Sequence, residues 1–136
     1  EHGKEHHHGF LVEDDVQLES EAARSEGDTR LQLFAAALRR QVAAARAATA
    51  ALRDGCGQDP EWPLRVADDY LRALGFTLLA WGWALSARAA LREEGDVAWL
   101  QGKVDAARFG VQWLLPEADW RWQRVHARGA ALPVPL

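Results

Sequence analysis

From Asp28 onward the chain repeats apolar side chains in steps of three and four. Leu31, Phe34, Leu38, Val42, Ala45, Thr49 and Leu52 are the first such row. That spacing lays them along one stripe of a helix. Asp28-Thr29 offers an N-cap, and Gly55-Cys56-Gly57 ends the pattern, glycine being suited to a left-handed C-terminal turn. The pattern predicts a helix over about 29–53. Asp59-Pro60-Glu61-Trp62-Pro63 opens a second, predicted over 62–93, because proline is tolerated in a first turn. Its expected inward stripe is Leu64, Ala67, Leu71, Leu74, Leu78, Trp81 and Leu85. Tyr70, Phe76, Leu79 and Trp83 fill other faces, so this helix should be the central one. Gly95 ends it and Asp96 caps a third helix, predicted over 96–115, with the stripe Val97, Leu100, Val104, Ala107, Val111 and Leu114. Pro116 interrupts that stripe, and a short fourth helix is expected over 117–128. No strand pattern and no internal repeat is present. The fold class is therefore all-α: an up-down bundle of three long helices plus a short fourth, occupying residues 29–130.

Residues 1–28 read differently. They are polar, acidic and broken by Gly3, Gly9 and Gly27, which suggests a linker or N-terminal arm, with a short helix over Asp14–Ser25 as the most order expected. Residues 131–136 form a Pro-rich tail.

Composition narrows the function classes. A chain of 136 residues fits one domain, and 49 % apolar with 26 % charged residues is ordinary for a folded protein. A net charge of -4 and a pI near 5.7 argue against a nucleic-acid partner. The single cysteine, Cys56, cannot form an internal disulfide, which suits a reducing compartment. The N-terminal stretch lacks the apolar core of a signal peptide. The longest apolar run, Ala73–Leu85, is shorter than the roughly 18–20 residues of a membrane span. These readings predict a cytoplasmic protein with no membrane partner. The chain contains no methionine, and it is expected to be a piece of something longer.

The candidate chemistry is sparse. His2, His6, His7 and His8 cluster, but consecutive histidines cannot all face one ion on a regular element, so no metal site is expected. His126 is isolated, and Cys56 has neither a base nor an orienting partner in view. No glycine-rich phosphate loop, nucleophile triad or di-metal pair of Glu-x-x-His motifs occurs. No catalytic, cofactor-binding or metal-binding residue is therefore assigned. Asp68, Asp69 and Tyr70 on the second helix could form a structural network with Lys103, Asp105 and Arg108 on the third. Arg108 is expected to reach into the bundle and pair with Asp105, Asp68 or Asp69. Of the seven tryptophans, Trp81, Trp99 and Trp113 are expected in the core. Trp120 and Trp122 are candidates for an interface, where aromatics are enriched. Gly75 and Gly82 lie seven apart on one helix, with Gly102 and Gly110 on the next. Close helix crossing is the favoured account of them, and room for a ligand the other.

Several of these residues together resemble a known family. Tyr70-Leu71, Gly75, Trp81-Gly82-Trp83, Ala89, and above all the run from Lys103 through Ala107-Arg108-Phe109 to Leu114-Leu115-Pro116-Glu117 look like the acyl-CoA dehydrogenase C-terminal-like domain. The resemblance covers roughly Leu31 to Gly129. It implies an accessory C-terminal helical domain of an FAD-dependent oxidoreductase that oxidises acyl-CoA thioesters. FAD would then belong to the parent enzyme, with no cofactor in this chain. The implied partners are the catalytic core of that flavoenzyme and further copies of the chain. The alternative is a free-standing helical interaction or ligand-binding module without flavin chemistry, and a weaker third is a bundle enzyme with an unrecognised site.

Overall fold

The computed structural model describes residues 10–128, and side chains from residue 15 onward. Among these the chain is helical with no strand. The elements are α1 (Phe10–Glu26), α2 (Gln32–Gly55, entered through a 3-10 turn at Thr29–Leu31), α3 (Trp62–Arg65), α4 (Ala67–Arg92), α5 (Val97–Phe109, continued by a π-helical turn over Gly110–Leu114) and α6 (Pro116–His126). The expected caps form: Asp28 accepts from the Arg30 N–H, and Asp96 from those of Ala98 and Trp99. The glycines at 55 and 57 do not take the expected left-handed turn. Among the described residues only Gly95 and Arg128 have positive φ, and Gly95, at +144°, makes the turn from α4 to α5. Gly55 serves a different need, since a Cβ there would run into the Trp62 ring. Trp62 in turn donates its indole N–H to the Val125 carbonyl at 2.9 Å, tying the end of α2 to α3 and α6.

The bundle is all-helical as expected, with one more long helix in it than predicted. The segment read as a linker forms α1, which packs on α2 and α4. Its inward row is Leu18, Glu21, Ala22 and Ser25. Two of those four are polar, which hid the stripe in the sequence. The polarity is satisfied inside the bundle. Arg88 of α4 grips both oxygens of buried Glu21 at 2.6 and 2.7 Å, and Ser25 donates to the same carboxylate at 3.2 Å. Arg46 of α2 adds a bond to each Asp15 oxygen. The His cluster and the Pro-rich tail lie outside the described residues.

α4 is the central helix, touching α1, α2, α5 and α6. The face it buries is not the one its leucines suggested. Asp69, Ala73, Thr77, Ala80, Ala84, Ala87 and Ala90 point inward. Phe34 and Leu38 from α2, with Leu115, Trp122 and Val125 from the end of the chain, supply bulk to the core these small residues join. Leu71, Leu78, Leu79 and Leu85 are exposed. A helix with neighbours on several sides packs closest through alanine, because small side chains let the other helix backbones approach. α5 is buried through Val104, Ala107 and Val111, as its stripe predicts, but Val97 and Leu114 at the ends of that stripe face out.

Candidate interaction surface

The polar side chains do not assemble as the sequence suggested. Asp69 is buried, and it turns to α6: Arg121 donates to one of its oxygens at 2.7 Å and Arg124 to the other at 2.9 Å. Burial alone would raise the Asp69 pKa, but the hydrogen bonds from Arg121 and Arg124 outweigh it and hold the carboxyl below its ordinary value. Asp68, one residue round the helix, is exposed and pairs with Arg72 at 3.1 Å. Tyr70 shares a 2.6 Å hydrogen bond with Thr49 of α2 and meets Trp122 edge-on at 5.7 Å. The α5 residues stay apart from all of these. Asp105 accepts from Gln101, Lys103 sits over the Trp99 ring, and Arg108 is exposed. Among the described residues no carboxylate lies within ion-pair distance of Arg108. The correction has a simple cause: Ala107 and Gly110 take the buried positions, so the side chain between them at 108 must point outward. The network partners that sequence reasoning missed, Arg121 and Arg124, lie on a helix too short and polar to show which face turns inward.

The tryptophans also exchange places. Trp122, a candidate for the interface, is buried and donates its indole N–H to buried Gln41 at 2.9 Å. Gln41 passes its own N–H to Asp119. Trp120 is half exposed between the guanidiniums of Arg121 and Arg124, whose central carbons lie 4.8 and 5.1 Å from its ring centre. Trp99 and Trp113, expected in the core, are exposed at 60 % and 72 %. Trp81 is half-buried against the core.

The outcome is an apolar outer face on α4 and α5. On α5, Trp99, Phe109 and Trp113 stand outward, with Phe109 and Trp113 stacked at a centroid distance of 6.4 Å. On α4 the outward residues include Leu71, Leu78, Leu79 and Leu85, with Gly75 and Gly82 between them. The expected close crossing at those glycines is absent: a Cβ at Gly75, Gly82 or Gly102 would meet nothing within 4 Å. Only Gly110 serves it, since a Cβ there would overlap the Trp83 ring, and the π-helical turn begins at that contact. By length and composition α4 is apolar enough to cross a membrane, with a mean hydropathy of 1.2 over a window that is only 28 % buried. Large apolar patches on a protein surface commonly mark a site of interaction. Among the described residues no group of histidine, cysteine and carboxylate side chains could hold a metal ion.

Fold and surface together define an all-helical bundle domain with a tightly bonded polar interior and an apolar outer face. The family described as acetyl-CoA dehydrogenase C-terminal like matches residues 12–133, and the chain belongs to that family. The match takes in α1 as well as the helices after it. No curated protein and no solved structure matches the chain.

Proposed function

We propose that this chain is the accessory C-terminal domain of an FAD-dependent acyl-CoA dehydrogenase-like oxidoreductase in the cytoplasm, packing on the catalytic core and aiding its oligomerisation. The observation that carries the reading is the outward aromatic row of α5, Trp99, Phe109 and Trp113, in a chain of this family. Large aromatics left exposed and clustered are typical anchors of a protein interface, where each buries much area at little entropic loss. The chain itself supplies no flavin site in this reading. Its part is mechanical: α5 offers the anchors, and the Asp69–Arg121–Arg124 and Glu21–Arg88 clusters tie α6 and α1 to α4, the helix on which α5 packs.

The test begins with the reading frame that encodes the chain, which should carry a flavin-dependent dehydrogenase core immediately before Glu1. In that parent protein, replacing Trp99 and Trp113 by serine should loosen the domain, so that limited proteolysis releases it faster while flavin content is kept. The isolated chain should be colourless after dialysis. A frame without a flavoenzyme core, or a chain that retains flavin absorbance, would overturn the proposal, and the first result would favour a free-standing interaction module.

A further inference from the structure

The outward face of α4 has a pattern of its own. Leucine recurs every seven residues at Leu71, Leu78 and Leu85, and the same row continues to Arg92. Offset by four, a second row holds Gly75, Gly82 and Ala89, and extends back to Asp68. All eight positions are exposed. A seven-residue repeat of this kind is the seam of a helix pair, in which knobs of one helix enter holes of the other. Here the knobs are leucines and the holes are places where no side chain stands. Among the described residues nothing fills them, since a Cβ at either glycine meets nothing within 4 Å.

The seam also specifies its occupant. A two-fold interface requires one surface to complement itself. Laid antiparallel on a second α4, Leu71 falls over the second copy's Ala89, Leu78 over its Gly82, and Leu85 over its Gly75. Every large residue then meets a small one, and each helix contributes both kinds. The same register sets Arg92 beside the second copy's Asp68 at both ends of the pair. Asp68 is exposed for that contact, its ion pairs among the described residues being one with Arg72 and a 3.6 Å approach of Arg121. A parallel pairing would set leucine against leucine, glycine against glycine and like charges together. A concavity of about 360 Å³ opens beside Ala89, walled by Ala90, Trp99 and Lys103, where the antiparallel register brings the incoming Leu71. Lipid would need none of these matches.

We propose that two copies of this chain pair through α4, antiparallel, with Leu71, Leu78 and Leu85 seated over Ala89, Gly82 and Gly75 of the second copy. This rests on the oligomerisation part of the proposed function and not on its flavin part. Docking on a core is tested by the tryptophans of α5, pairing by the glycines of α4, so either reading can fail alone. The experiment is sedimentation equilibrium of the full 136-residue chain over a range of concentrations. The wild-type chain should reach a dimer. Gly75→Leu with Gly82→Leu should keep the helical circular dichroism spectrum, because both positions are exposed and a Cβ at either meets nothing within 4 Å among the described residues. Filling the holes should nonetheless raise the dissociation constant by at least about tenfold. Arg92→Asp should weaken the dimer, and adding Asp68→Arg should restore it. A monomer at the highest soluble concentration would overturn the proposal, as would a dimer indifferent to the glycine substitutions. A charge exchange that fails to restore pairing would overturn the antiparallel register. Co-flotation of monomers with phosphatidylcholine–phosphatidylglycerol vesicles would assign the face to lipid instead.

Discussion

α2 and α4 are the two longest helices, and they treat their large side chains in opposite ways. α2 buries Phe34, Leu38 and Val42, which its stripe marks as inward. α4 buries alanines and turns leucines outward. The difference follows from position. α2 contributes bulk to a core it borders from one side. α4 runs through the middle of the bundle, where the helices around it must come close and bring the bulk themselves. A row of leucines at helical spacing therefore does not by itself mark the face that the same chain covers.

The comparison breaks first at Leu38. It is fully buried, and Leu38→Ala should cost roughly 2–5 kcal/mol through lost transfer energy and the cavity left behind. Leu79→Ala on the outer face of α4 should cost no more than about 0.5 kcal/mol. Urea midpoints read the contrast, and equal shifts would show that the two faces are not as different as described. A smaller effect is expected from overfilling the inward face. Ala84→Leu should destabilise by about 1–3 kcal/mol, since the added side chain meets a close-packed interior. A neutral Ala84→Leu would mean that the neighbouring helices do not approach α4 as closely as its alanines allow.

Acid sharpens the account of the α4–α6 contact. The Asp69 pKa is lowered in the folded state, so the stability this carboxylate contributes is fully present above its ordinary value of 3.8. It is lost as pH falls further, through the lower folded value. Denaturation midpoints measured between neutrality and strong acid should therefore drop below about pH 4, and the drop should shrink in Asp69→Asn. A profile identical in the two proteins would remove Asp69 from the account. The least effect belongs to Arg108. Being exposed and without a carboxylate partner among the described residues, it should tolerate Arg108→Ala within about 0.5 kcal/mol. A larger loss would reinstate the bundle network that its place in the family-like run suggested.

Much of the architecture was legible in the residues. Periodicity, Asp28, Asp96, Gly95 and Pro116 located three long helices and a short fourth to within a few positions, because caps and breakers act on the local backbone. α1 was legible only as a short helix on an arm, since Glu21 and Ser25 occupy half of its inward row and only Arg88, 67 residues away, makes that acceptable. Trp122, a candidate for an interface, went inside and Trp113, expected in the core, stayed outside for a related reason. Trp122 stands on a short polar helix and Trp113 on a short apolar turn, and nothing local tells which will be covered. Gln41 supplies the partner that lets Trp122 go inside, while no such group reaches Trp113.

By itself, then, the order of residues determined that this chain is helical, where most of its helices begin and end, and which family it resembles. Those properties rest on interactions within a few residues of one another. Which face of α4 turns inward, which acid meets Arg121, and which tryptophans stay outside were decided only when the helices met. Each depends on the volume and hydrogen-bonding capacity of side chains brought from far along the chain, and helical spacing carries no record of them.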